Sequence, residues 1–272
     1  MKIAPRVLPV IAVVAAILLG AGPLTAAPPP GVFTNVRCEG TYPKHLQGIC
    51  TDDKEFIFWC FTDTLVKTDR AGKVLKQVKV ASHHGDLCYH DGKVYVAVNL
   101  GHFNDPQGKA KSWVYVYRAD DLAELCRHKV PEVFYGAGGM GYHDGRFVVI
   151  GGLPPGIEEN YAYEYDENFK CLRRHIIPSG YTLMGIQTAT FSGDCWWFGC
   201  YGRPPVLLKT DQAFHLVGKY RFDCALGVVA LPDGSFLIGR GSTAGKKHTG
   251  TALVADADAL KGLRVREENK HK

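Results

Sequence analysis

The side chains best suited to chemistry in this 272-residue chain lie where predicted strands begin. His45 and Gln47 precede one apolar run, and His83, His84 and Asp86 precede the next. Imidazole can transfer a proton or bind a divalent metal near neutral pH, and a carboxylate can act as a base or as an oxygen ligand. If the two runs are neighbouring strands, the spacing predicts one polar cluster.

The elements that carry these residues are copies of one hairpin. Each copy has a short apolar run, a turn with Asp or Gly, and a second apolar run, as in residues 86–99 around Asp91-Gly92. This pattern is typical of paired β-strands. Five copies align on the residues that open their second strands, Phe56, Val94, Phe147, Trp196 and Phe236.

These alignment positions are separated by 38, 53, 49 and 40 residues. A period near 45 residues with four short strands per unit indicates a β-propeller. We therefore predict an all-β fold of five four-stranded blades, or six if the first and last segments form a blade of their own. We also expect an N-terminal strand to close the ring by joining the last blade.

The composition along the chain sets the domain limits. Residues 1–27 pass from charged to apolar to small side chains, the order of a secretory signal peptide. They predict a secreted or periplasmic protein that has no stable membrane span once the signal is removed. Residues 28–44 are predicted to form a linker and the closing strand, residues 45–260 the propeller, and residues 261–272 a charged tail that frays.

Charge and cysteine usage narrow the class of partner. The net charge of +5 falls to +3 without the two basic residues of the signal, so we expect no nucleic-acid partner. All nine cysteines follow the signal, and an odd number leaves at least one thiol unpaired. Cys50 and Cys88 occupy equivalent positions on different blades, too far apart to bridge, so we expect them to be small buried apolar residues.

The predicted topology places the polar residues at one end of the central channel. Inner strands begin at one mouth, here the upper mouth, and short turns such as His90-Asp91-Gly92 lie at the other, the lower mouth, where His90 and His143 are expected to be solvated. Candidate catalytic residues are His83, His84 and Asp86, and candidate metal ligands are His45 and His83. Candidate ligand-binding residues are Gln47, Asn99, Gln187, Tyr201, Arg203 and Arg240.

Two blades resemble known families. Residues 145–152 followed by residues 161–166 resemble a kelch repeat, which carries a double glycine such as Gly151-Gly152. Residues 45–49, His-Leu-Gln-Gly-Ile, resemble the Thr-Gln-Gly-Leu string in the first blade of the five-bladed glutamine cyclotransferase family. That resemblance implies a five-bladed propeller in which Gln47 matches the family's glutamine. Trp59 stands where the family has an acidic residue.

Two functions are open on the sequence alone. The first is an exported propeller that binds, and could turn over, a small polar or acidic ligand such as a saccharide or a modified peptide end at the upper mouth. One divalent metal ion could take part. The second is a non-catalytic scaffold that grips another protein with loops 100–111 and 153–160. Whether the chain is an enzyme, and its oligomeric state, are left undecided.

Overall fold

The structure is a computed structural model that describes Met1 and residues 31–267. The predicted signal peptide of residues 1–27 lies, apart from Met1, outside the described residues. In the described part of the chain, no helix is long and apolar enough to cross a membrane.

Five antiparallel sheets form the molecule, and each of the first four contains four strands in sequence order. Short turns with an Asp or Gly at positive φ, such as Asp91-Gly92 and Asp144-Gly145, join the inner strand of a blade to the next strand. Blade one consists of β2 (Gly48–Thr51), β3 (Phe56–Cys60), β4 (Thr64–Asp69) and β5 (Val74–Lys79), and blade two of β6 (His84–His90), β7 (Lys93–Asn99), β8 (Ser112–Arg118) and β9 (Glu124–Lys129). Blade three consists of β10 (Ala137–His143), β11 (Arg146–Gly151), β12 (Asn160–Tyr165) and β13 (Cys171–Ile177), and blade four of β14 (Leu183–Ser192), β15 (Cys195–Tyr201), β16 (Val206–Asp211) and β17 (Leu216–Tyr220).

The fifth blade is larger than the sequence predicts. Its strands are β18 (Val228–Ala230), β19 (Phe236–Ala244), β20 (Lys247–Asp258) and β21 (Gly262–Val265), with β1 (Val36–Arg37) also paired to β20. The propeller therefore does not end at residue 260, because Leu263 is buried against the blade-five core instead of fraying with a charged tail. The five-bladed propeller is confirmed, and the six-bladed alternative is wrong.

The N-terminal segment closes the ring as expected. Val36 pairs with Ala252 of β20, and the side chain of Asn35 accepts a hydrogen bond from the N–H of Val254 at 2.8 Å. On the other side, the N–H of Glu39 donates to the carbonyl of Gly72 in blade one at 2.9 Å. Residues 35–39 thus join the last blade to the first, and we call them the clasp.

The cores lie between neighbouring blades. Strand β15 has Trp196 and Trp197 in succession, and because side chains alternate across a strand, the two rings point to opposite faces of blade four. Trp196 packs in the core shared with blade three, and Trp197 packs against Phe236 of blade five. Each core thus fixes the angle between two blades, which in turn sets the width of the channel.

Gly151-Gly152, the feature that resembles a kelch repeat, has a local packing role. A Cβ atom on Gly151 would overlap the carbonyl of Gly136, and one on Gly152 would overlap the carbonyl of Tyr135 and the side-chain oxygen of Asn104. Only glycine lets the backbones approach so closely. The double glycine is therefore explained by the loop that packs over blade three.

Candidate functional site

Three histidines gather at the upper mouth, each from a different segment. His45 precedes β2, His83 precedes β6, and His248 lies on the long β19–β20 hairpin, with its ring centroid 6.2 Å from that of His45. Gln47 donates a side-chain hydrogen bond of 3.0 Å to His45 Nε2. The sequence placed His45, Gln47 and His83 at this mouth, and the extended hairpin adds His248.

The residues around His45 influence its charge. Partial burial lowers the pKa of His45 first, and the neighbouring charges of His248, His83 and Lys44 lower it further. A hydrogen bond holds the backbone of His45 in place, since Thr62 Oγ1 donates to its carbonyl oxygen at 3.0 Å. A negatively charged ligand beside these rings would raise the pKa of His45 again.

A second group of side chains completes the rim. The Arg240 guanidinium donates to the backbone carbonyl of Asp223 and lies 3.8 Å from its carboxylate. Burial, followed by the charges of Asp223 and Asp86, raises the pKa of Tyr201 to about 12, so its phenol stays protonated. Tyr201 and Arg240 are thus hydrogen-bond donors at this mouth.

Asp86 closes the channel below the rim. Its carboxyl is buried, Oδ2 accepts a hydrogen bond from Ala189 N at 3.3 Å, and the N–H groups of Ile49 and Leu87 also favour its ionised form. These N–H groups belong to three blades, so the carboxyl meets the free inner edges of three sheets. Desolvation outweighs them and raises the pKa of Asp86 well above its usual range. Oδ1 has no hydrogen-bond partner among the described residues.

His84 does not join the candidate catalytic group. Its Nδ1–H donates to the carbonyl of Ala81 at 2.5 Å, and its Nε2 accepts from the hydroxyl of Tyr117 at 2.7 Å. The ring is buried among the side chains of blade two, and burial lowers its pKa to about 4, so it is neutral. His84 thus lies at the start of the inner strand β6, as predicted, but its ring packs inside blade two, and the β6–β7 pairing shifts register just after it.

The Tyr117 hydroxyl is the partner that stabilises buried His84. We expect Tyr117→Phe to lower the free energy of unfolding by about 1–3 kcal/mol, because His84 Nε2 loses its hydrogen bond inside the protein. Denaturant unfolding measures the change. Tyr142→Phe is the control, since that hydroxyl bonds to exposed Glu167, and it should change stability by less than about 0.5 kcal/mol. Equal effects of the two substitutions would contradict the assignment.

The other candidate binding residues divide into structural and exposed groups. Asn99 is buried, and its side-chain oxygen accepts from the N–H of Gly101 and Lys111, which holds the loop of residues 100–111 together. Gln187 is buried and donates to the carbonyl of Met184 at 2.6 Å. Arg203 is exposed on the loop after β15. Asn99 and Gln187 therefore shape the mouth, and Arg203 lies at its edge.

Two histidines at the lower mouth are packed against aromatic rings. His90 stacks on Tyr142 of the next blade with ring centroids 3.7 Å apart, and His143 stacks on Phe191 of the next blade at 3.4 Å. The expectation that the two histidines are simply solvated is wrong, because each fills the step between adjacent blades. A cavity of about 160 Å³ opens at this mouth, and sequence reasoning had assigned no function to it.

The nine cysteines, all within residues 31–267, are free thiols. Cys50 belongs to the core between blades one and two and Cys88 to the core between blades two and three, which explains why these equivalent positions do not bridge. No group of three or more His, Cys, Asp or Glu side chains in the described residues is arranged to hold a metal ion. A metal bound by His45 and His83 stays a prediction.

Comparison with known proteins supports the fold alone. No family model matches the chain, and no curated protein matches it. A crystal structure of Myxococcus xanthus glutaminyl cyclase is similar at a TM-score of 0.54, with 11% identity over 86% of this chain and 99% of that chain. A protein of unknown function from Bacteroides caccae is similar at a TM-score of 0.51, with 12% identity over 84% of this chain and 83% of that chain.

The position expected for the acidic residue of the cyclotransferase family is structural here. Trp59 is fully buried, and its indole N–H donates to Thr68 Oγ1 at 3.0 Å. The similarity to glutaminyl cyclase is thus an agreement of architecture, and nothing in the comparisons bears on the kelch-like character of blade three.

Proposed function

We propose that this propeller binds a small acidic ligand with hydroxyl groups, such as a sugar acid, at the upper mouth. The observation that carries the proposal is the cluster of His45, His83 and His248, in which partial burial, and then the charges of the other two histidines, lower the pKa of His45. A carboxylate beside these rings would favour the charged form of His45, and it would be more stable there than a neutral ligand of the same shape.

The surroundings of the cluster favour the same ligand class. Tyr201 is a protonated donor, and Arg240 provides further N–H groups at the rim. Such a set of donors suits carboxylate and hydroxyl oxygens. Among the described residues, the carboxylate of Asp223 lies close to Arg240 and leaves part of the guanidinium exposed for a ligand.

Turnover of the ligand has less support than binding. Among the described residues no hydrogen bond joins exposed His83 to buried Asp86, and His84 is occupied by Ala81 and Tyr117. An acid–base pair needs two groups within hydrogen-bond reach of one reacting atom. We therefore propose that the function is ligand binding, and that His83 contacts the ligand at the rim of the upper mouth.

Binding of glucuronate, with glucose as the uncharged control, tests the proposal. We expect calorimetry to detect glucuronate and to show at least tenfold weaker binding of glucose. His45→Ala and His83→Ala should each weaken glucuronate binding about tenfold, which is the loss of one charged hydrogen bond of roughly 1.5 kcal/mol. The imidazole signals in NMR should show the pKa of His45 rising when glucuronate is present.

Equal affinity for the charged and the neutral sugar would contradict the proposal. So would unchanged binding in both histidine variants. His175→Ala is a matched control, because that imidazole bonds to Glu164 on the outer side of blade three and lies away from the mouth.

The second candidate is a scaffold that binds another protein at the same mouth. It is favoured by the closed channel, since Asp86 blocks passage below the rim. The loop of residues 100–111 is held by Asn99 and by hydrogen bonds within the loop, so it presents a fixed surface. If the protein is a scaffold, deletion of residues 103–108 should abolish partner binding. If the protein binds an acidic ligand, the same deletion should leave glucuronate binding intact.

We also propose that the protein is exported, supported by the order of charged, apolar and small residues in positions 1–27. Mass spectrometry of the protein recovered outside the cytoplasm should give a mature chain that begins near residue 28. Recovery of the intact N-terminus would contradict this proposal.

A further inference from the structure

The cavity at the lower mouth has walls from all five blades. It measures about 160 Å³ and is lined by residues of every inner strand, including Cys50, Leu87, Gly141, Ala189 and Val229. A cavity of this size is comparable to one that holds a single small organic molecule of about six heavy atoms. It ends at the level of Leu87 and Ala189, directly beside the Asp86 carboxyl that closes the channel. The cavity thus lies at the lower mouth and ends beside Asp86, and we call it the axial pit.

Three aromatic residues from successive blades are among those that line the axial pit. They are Tyr89, Tyr142 and Phe191. The Tyr89 hydroxyl accepts from Gly92 N at 3.2 Å and the Tyr142 hydroxyl donates to Glu167 at 3.2 Å, so both hydroxyl groups are engaged outside the pit. The aromatic rings are held in position before any ligand arrives, because histidines of the preceding blades stack on two of them.

One carboxylate stands at the opening of the axial pit. Asp53 lines the pit, and among the described residues its carboxylate has no hydrogen bond or ion pair. Its neighbour Asp52 differs, because Oδ1 of Asp52 accepts from the N–H groups of Lys54, Glu55 and Phe56 and so stabilises the turn. No Lys, Arg or His side chain is among the residues that line the pit.

From this arrangement we propose that the axial pit binds a small organic cation of the methylated-ammonium class. Aromatic rings attract an ammonium group through their quadrupole, and their carbon surface suits its methyl groups. The Asp53 carboxylate supplies the opposite charge at the open end. The upper-mouth proposal concerns acidic ligands, so the two sites would select opposite charges at the two ends of one channel.

The surroundings of Asp53 agree with this role. The surrounding protein, followed by the charge of Asp52, raises the pKa of Asp53 to about 6, while Lys54 acts in the opposite direction. A carboxylate that lacks its full hydration gains more from a cation than one in open water. The carboxylate is still in contact with solvent at the opening, so a ligand can reach it.

Choline and its neutral isostere 3,3-dimethyl-1-butanol test the proposal, because the two differ in charge and have nearly the same shape. We expect calorimetry to show choline binding and at least tenfold weaker binding of the alcohol. Asp53→Asn should weaken choline binding at least tenfold, and Phe191→Leu should also weaken it. Asp144→Asn is the matched control, since Asp144 occupies the equivalent position of the blade-three turn, also at positive φ, and does not line the pit.

Several outcomes would overturn the proposal. They are the absence of choline binding to the wild-type protein, equal binding of choline and the alcohol, and equal effects of Asp53→Asn and Asp144→Asn. His45→Ala should leave choline affinity unchanged, so failure of the upper-mouth proposal would not affect this test. Asn tolerates the positive φ of Asp53, and circular dichroism of the variant checks that the blades are intact.

Discussion

Gly48→Ala is expected to lower the free energy of unfolding by about 3 kcal/mol. A Cβ atom at position 48 would overlap Asp86 Oδ1 and would lie only 2.5 Å from the Cα of Asp86. A backbone atom cannot rotate out of the way, so blades one and two would have to separate at the axis. Thermal and denaturant unfolding of the purified variant measure the loss.

Gly138→Ala is the control for this effect. Gly138 also lies on an inner strand, but a Cβ there would meet its nearest neighbours, Gly151 Cα and Phe103 Cζ, at 3.3 and 3.4 Å. We expect a change of no more than about 1 kcal/mol, as in small adjustments of packing. A mild effect of Gly48→Ala, equal to that of Gly138→Ala, would show that Asp86 does not fill the axis beside Gly48.

Asp86→Asn is expected to change the dependence of stability on pH. Burial raises the pKa of Asp86 in the folded protein above the value near 4 of the unfolded chain. The folded state therefore keeps a proton that the unfolded state releases, so the contribution of Asp86 to stability is present in acid and is lost as pH rises above about 4. Asparagine has no such titration and keeps an oxygen that can accept from Ala189 N.

The advantage of the Asn variant over the wild type should thus grow by up to about 1.4 kcal/mol per pH unit above pH 4, until the pH reaches the folded pKa of Asp86. Urea unfolding at pH 4.5, 5.5, 6.5 and 7.5 gives the difference at each pH. Because other groups titrate equally in both proteins, the difference isolates Asp86. Asp144→Asn, at an exposed turn, should run parallel to the wild type, and a parallel curve for Asp86→Asn would mean that the buried carboxyl is ionised.

The architecture was predictable because it depends on a repeated local pattern. Asp-Gly turns between apolar runs specify hairpins, and the spacing of Phe56, Val94, Phe147, Trp196 and Phe236 specifies how many hairpins a ring contains. The same pattern also indicated which ends of the inner strands meet, and the structure does bring His45, Gln47 and His83 to one mouth. Only the size of blade five was missed, because β21 has few apolar residues beyond Leu263.

The direction of individual side chains was less predictable. Inner strands β6, β10 and β14 each have a register shift near their start, and such a shift reverses which side of the sheet the following residues face. His84 lies at the start of β6, where the sequence predicts a residue of the mouth, but its ring is buried inside blade two. A single sequence does not show where an extra residue enters a strand, since the bulge depends on the partner strand.

The axial pit was missed for a different reason. Tyr89, Tyr142 and Phe191 read as core residues at strand ends, and Asp53 reads as a turn residue, so each has an ordinary explanation when it is considered alone. Their common cavity exists only because five strands converge on one axis and Asp86 closes the channel above it. That convergence is a property of the closed ring.

The clasp closes the ring between its last and first blades. Each interface between consecutive blades joins segments that are near in sequence, whereas the clasp pairs Val36 with Ala252, from opposite ends of the described chain. Closing so long a loop carries an entropy cost, which is offset by the two-residue strand, by its flanking hydrogen bonds and by the apolar core that blades one and five share. Amide hydrogen exchange at the clasp would therefore report how often the ring opens between its first and last blades.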